Sequence, residues 1–243
     1  MNKSIGVKGM YVDEKEFEEL QKQIGSQANT NSSLSVESIK YIAGFDVLCV
    51  GRQVFCAAVV LDAVTMKVVE RKHAVGKTPM PYIPGLQAFR EGPALVQLYY
   101  DIEHEPDVVL VSGHGIAHPY RCGIATYVGV ELQKPTIGIA KSLFGGNIVN
   151  ETAVINGEVC GRILKTKEHA NPVVVSPGHL VTADDALLIV QKYIIPPHKL
   201  PEPLALAHKY VKHILRNGPS QEVKEACEDE IPEEYRVNAG MIV

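Results

Sequence analysis

Three closely spaced runs rich in Val, Ile and Cys constrain this chain most. They are residues 41–50 (YIAGFDVLCV), 53–61 (QVFCAAVVL) and 68–74 (VVERKHA). Only Gly51-Arg52 separates the first two, and residues 62–67 separate the second from the third. Connections that short join antiparallel strands, because parallel neighbours need a crossover of a dozen or more residues. The run 68–74 is followed by a different rhythm. Residues 87–102 read as a helix, 108–111 as a short buried strand, 120–132 as a helix and 136–140 as another buried strand. Strands alternating with helices imply parallel neighbours. The predicted fold class is α/β: a mixed five-stranded sheet, three antiparallel strands then αβαβ, flanked by helices. Further β segments are expected at 152–163 and 173–176, and helices at 183–193 and 203–216.

The 243 residues are 46% hydrophobic and 21% charged, enough to bury a core without disulfides or structural metal. No apolar run approaches the roughly 18 residues of a membrane span, so no membrane association is expected. The first twenty residues are charged and lack an apolar core, so no secretory leader is expected. Five cysteines without CxxC or CxxH spacing point to a reducing, cytoplasmic setting and away from a cysteine zinc site. The net charge of −4 is concentrated in a terminal stretch, where Glu222, Glu225, Glu228, Asp229, Glu230, Glu233 and Glu234 cluster. The body is near neutral, which disfavours bulk nucleic-acid packaging and leaves room for a local basic groove. Three segments are expected: an N-terminal amphipathic helix with a polar connector (1–36), a catalytic body (37–217) and an acidic tail (218–243).

Asp46 lies among apolar neighbours in IAGFDV, where an acid must reach an edge, pair with a base or bind a cation. Glu91, in FREGP, falls near the expected start of a helix, where the helix dipole alone would account for an acid. Ser112-Gly113-His114-Gly115-Ile116-Ala117-His118-Pro119 follows a buried strand directly, at the sheet edge where α/β proteins bind ligands. Its two histidines suit acid–base or phosphate contacts; zinc is disfavoured because they sit in a Gly-rich turn rather than on a helix. Lys141 ends the next strand and is placed either in solvent or against a phosphate. His208, on the last helix, faces either its own helix surroundings or the same cleft. Pro79, Pro81 and Pro84 stiffen a loop that holds Tyr82 and Ile83 in extended display, either as a rigid turn or as an apolar wedge that unstacks bases.

Taken in order, IAGFDV, PYIPGLQAFREGP, SGHGIAHPYRCGIATYVG, PTIGIAKS, VSPGH and LPEPLALAH resemble the endonuclease V family over residues 41–216. The resemblance implies a ribonuclease-H-like fold. It also implies Mg2+- or Mn2+-dependent hydrolysis of the second phosphodiester bond 3′ to inosine, in single- or double-stranded DNA or in RNA; separately, a monomer is expected. Asp46 and Glu91 match the family's metal-binding carboxylates, and both are expected to be catalytic. His118 and Lys141 match its polar pair near the scissile bond, and His208 the histidine of the last helix, a further metal ligand. Pro81, Tyr82, Ile83 and Pro84 match its wedge, and Gly113, His114 and Gly115 the backbone lining the base pocket. One position departs: Ser112 stands where the family has a third metal-binding Asp. A hydroxyl offers a dipole without charge to a hard cation. The alternative to an active nuclease is therefore an inosine- or lesion-binding protein that cuts weakly or not at all. Ser112 acting with His118 as a metal-free hydrolase ranks last, since no acid is placed to orient His118.

Overall fold

Two largely buried apolar strands and a third that alternates between half-buried and exposed positions, together with one carboxylate turn, build the antiparallel half of the sheet. The computed structural model describes residues 4–7, 10–167, 169–196 and 198–217, so the acidic tail lies outside the described residues. Two short strands, β1 (Ser4–Val7) and β2 (Met10–Asp13), pair as a separate hairpin ahead of helix α1 (Glu14–Gln27). Then come β3 (Tyr41–Val50), β4 (Gln53–Asp62) and β5 (Val68–Lys77), antiparallel in sequence order. The β4–β5 reversal is held by the Asp62 carboxylate, which accepts from the Val64 and Thr65 amides at 3.1 and 2.7 Å.

The second half runs α2 (Gln87–Tyr100), β6 (Val108–Ser112), α3 (Ile124–Leu132) and β7 (Thr136–Ala140). Strands β3, β6 and β7 are mutually parallel neighbours. Both faces of β6 and β7 are covered, which is why VVLV and TIGIA are continuously apolar or small rather than alternating.

The five expected strands are present in the expected order, but the sheet does not stop there. Strands β8 (Asn147–Val149), β9 (Thr152–Ile155), β10 (Glu158–Leu164) and β11 (Val173–His179) extend it to nine, in the order β5-β4-β3-β6-β7-β11-β10-β9-β8. β11 docks antiparallel on β7, so the added strands continue the same sheet. The single β segment expected over 152–163 is a hairpin, turned by Asn156 and Gly157 at φ 53° and 82°.

Helices α4 (Ala183–Lys192) and α5 (Glu202–Asn217) complete the chain. On one face, Ile189, Val190, Leu204 and Ala207 pack on Ile42, Leu110 and Ile137. On the other, Leu95, Leu98, Ile124 and Val128 pack on Ala43, Phe45 and Val111. Even-numbered residues of β3 thus face α5 and odd-numbered ones face α2. No described helix is long and apolar enough to cross a membrane.

Candidate active site

The site forms where β6 ends beside the middle of β3, and its first member is set by helix approach. Gly44 lets α5 lie directly on β3: a Cβ there would meet the Pro203 backbone at 2.2 Å. Two residues on, Asp46 points to the same face and is 3% exposed. Its Oδ1 accepts from the Val47 amide at 2.9 Å, and its Oδ2 accepts from Nδ1 of His208 on α5 at 2.6 Å. The second ring nitrogen of His208, Nε2, is buried without a hydrogen-bond partner among the described residues.

Glu91 arrives from the opposite face. It lies past the first turn of α2, so the helix dipole offered by the sequence as its explanation does not apply. Its Oε1 lies 3.8 Å from Cys49 Sγ, on the α2 side of β3, and 3.5 Å from the Arg90 guanidinium. Burial pushes the Glu91 carboxyl up to about 7, and the Asp46 charge adds to it against Arg90. Asp46 and Glu91 therefore approach the second half of β3 from its two faces. Arg90, buried at 7% exposure, also donates to the Gly51 carbonyl at 2.8 Å and lies over the Tyr82 ring.

Ser112 sits beside Asp46. The parallel register Phe45↔Val111 makes them the next neighbouring positions, and Val108 and Leu110 share the α5 face with Ile42, as Ser112 does with Asp46. Among the described residues, no three or more His, Cys, Asp or Glu side chains gather as a metal cluster. The donors present nonetheless suit a divalent cation. Two carboxylates lie near enough for the Asp46 charge to act on Glu91, and burial pushes the Glu91 carboxyl up to about 7. An imidazole nitrogen lies buried without a partner among the described residues; a positive ion relieves all three. Ser112, beside Asp46, offers a neutral hydroxyl rather than a charge.

Lys141, exposed at the end of β7, is held below the ordinary lysine range by partial desolvation and by the nearby ammonium groups of Lys199 and Lys212; Asp46 acts against them. Neither Lys141 nor Lys199 has an ion-pair partner among the described residues. The edge by Asp46 thus presents concentrated positive charge, although the chain as a whole is acidic.

His118 is placed differently from the sequence expectation of phosphate binding or proton transfer. Its Nε2–H donates to the Gly85 carbonyl at 3.0 Å, and its Nδ1 accepts from the Tyr120 amide at 3.3 Å. Burial pulls it down to about 4, so it is a neutral imidazole with both nitrogens engaged by backbone. Its ring stacks on Phe144 at 5.4 Å. His114 donates to the Ser142 carbonyl at 2.7 Å, and the Gly115 amide donates to Ser176 Oγ at 2.8 Å. The 113–118 segment is thereby fixed against β7 and β11.

In the 81–85 loop the expected display is only half realised. Tyr82 is 41% exposed and Pro84 is exposed, with Pro81 between, but Ile83 is buried at 8%. Ile83 packs with Met80, Leu86, Phe17 and Phe89 because α1 supplies an apolar floor beneath it. Arg90, Cys49 and Gln21 also belong to this region and were missed by sequence reasoning. Arg90 beside Glu91 in FREGP was the one signal available; the other two carry none.

Comparison with known proteins places this geometry. The family model described as Endonuclease V matches residues 18–209. Endonuclease V of Thermosipho melanesiensis is 39% identical over 200 residues, covering 79% of this chain and 87% of its own. The crystal structure of endonuclease V from Bacillus subtilis superposes with a TM-score of 0.77 at 32% identity, covering 86% of this chain and 94% of that one. Ciona intestinalis endonuclease V, crystallised with a 24mer DNA containing an inosine followed by a ribo-adenosine, gives 0.75 at 26% identity, covering 84% and 97%.

Proposed function

The chain belongs to the endonuclease V family, and on that premise we propose that it hydrolyses the second phosphodiester bond 3′ to inosine in a DNA or RNA strand. The convergence of Asp46, Glu91 and the unpartnered His208 Nε2 on one sheet edge, beside the lysines, carries the reading. Asp46 and Glu91 would hold Mg2+ or Mn2+, with His208 and the Ser112 hydroxyl completing the donors. Such a cation, when bound, polarises a phosphate oxygen and makes bound water a stronger nucleophile.

The chain's own residues do the rest. Asp46 fixes the His208 tautomer by accepting its Nδ1 proton, which leaves the Nε2 lone pair facing the site. Lys141, with Lys199 and Lys212 behind it, draws the strand's phosphates to the edge and neutralises them there. Tyr82 unstacks the base neighbouring inosine, and the backbone of Gly113, His114 and Gly115 lines the pocket that receives the displaced base. His118 is a positioning residue that ties the wedge loop to that pocket wall. Every group named lies on one chain, so a monomer suffices. The four described cysteines are all unpaired, which fits a cytoplasmic setting.

One observation favours a second reading. Ser112 brings no charge beside Asp46, and a chain that captures inosine strands while cutting them slowly would have this site. The test is a labelled strand with one inosine, incubated with Mg2+ or Mn2+ beside an adenine control. Cleavage at the second bond 3′ to inosine supports the nuclease; retention of the inosine strand without cleavage supports the binding protein. Equal treatment of both strands contradicts both.

A further inference from the structure

Helix α1 contributes one polar side chain to the interior. Gln21 is 2% exposed, and its Nε2 donates to the Gly85 carbonyl at 2.7 Å across 64 residues of chain. His118 Nε2–H donates to the same oxygen from the other side at 3.0 Å. Gly85 stands at φ +85°, a left-handed state that an isolated loop holds only weakly, and it closes the 81–85 loop onto α2. Two donors on one carbonyl fix that closure. One turn earlier on α1, Phe17 meets Phe89 edge-on at 5.1 Å and joins Met80, Ile83 and Leu86 under the loop. Ordering a buried glutamine costs side-chain freedom, so its hydrogen bond to Gly85 identifies what it is ordered for.

We propose that Gln21 is a positioning residue for the wedge: through the Gly85 carbonyl it sets the height at which Tyr82 meets a stacked nucleic-acid strand. This rests on the inosine-nuclease reading. It assigns a task in strand recognition to the N-terminal helix, which lies outside the metal site.

The test uses the full chain and a single strand carrying inosine next to 2-aminopurine, whose fluorescence rises on unstacking, with EDTA present to prevent cleavage. Gln21→Met is expected to weaken binding by about tenfold, the worth of one buried hydrogen bond, and to lose most of the fluorescence rise per bound chain. With metal restored, the loss falls on KM rather than on kcat. Gln21→Asn keeps a neutral amide on an arm too short to reach the Gly85 carbonyl and carries the test if the Met variant does not fold. A merely structural role would lower the melting temperature and leave the fluorescence of the bound complex unchanged, which would overturn the proposal. If the unaltered chain gives no fluorescence rise, the inosine reading itself falls. If it does and Gln21→Met matches it, only the role of Gln21 falls.

Discussion

Replacing Ser112 by Asp should have two opposite effects, separable by metal. The register Phe45↔Val111 puts residue 112 next to Asp46 on an adjacent strand, facing the same side. Neighbouring strands are about 5 Å apart, so two carboxylates there repel by about 3 kcal/mol at an effective dielectric of about 20. Without metal, Ser112→Asp should therefore melt lower than the unaltered chain, or protonate one carboxyl of the pair. With metal, the added carboxylate brings a further negative charge to the cation, and affinity for Mn2+ should rise by at least about tenfold to a hundredfold. Calorimetric titration with Mn2+ measures the affinity; thermal melts in EDTA and in excess Mn2+ measure the crossover in stability. An affinity change under about threefold, with melting unaltered in EDTA, would refute the assignment of position 112 to the cation site.

Burial holds His118 down to about 4 from an ordinary 6.5, so the unfolded chain takes up its proton first as pH falls. Its contribution to stability is complete above pH 6.5 and declines between there and pH 4, by up to about 3 kcal/mol; denaturant melts of the unaltered chain should show that slope, and His118→Gln should flatten it. Changing Lys141, Lys199 or Lys212 to Ala should each reduce the salt dependence of single-strand binding by about 0.7 in the log–log slope, without altering preference for inosine. Fluorescence titrations at several salt concentrations measure it. Gly44→Ala should cost about 1–3 kcal/mol in a denaturant melt, because its methyl group displaces α5 at Pro203. The same variant should lose activity through the strained Asp46–His208 contact.

The sequence was most legible where local pattern and final environment agree. β3 to β7 read correctly because β-branched runs, short reversals and alternating helices point to one topology, and Asp46 stood out as an acid among apolar residues. β8 to β11 were under-read because their place depends on β11 docking antiparallel on β7, a pairing across more than thirty residues that no local pattern encodes. The same is true at the site. Ile83 was expected on display, but Phe17 from α1 turns it inward. His118 looked free for chemistry until the Gly85 carbonyl and the Tyr120 amide took both its nitrogens. Gln21 gave no signal at all, being one polar residue among many on an amphipathic helix.

The central claim is that Asp46 on β3 and Glu91 on α2 cut the strand beside inosine. The most direct measurement maps the products of a labelled inosine strand for the unaltered chain, Asp46→Asn and Glu91→Gln, each with and without EDTA, with a binding assay alongside. The account predicts a product ending at the second bond 3′ to inosine from the unaltered chain. That product should fall by at least about a hundredfold in either variant and vanish in EDTA, while both variants still retain the strand. The same product from Asp46→Asn and Glu91→Gln at unchanged rate, or cleavage indifferent to EDTA, would contradict it.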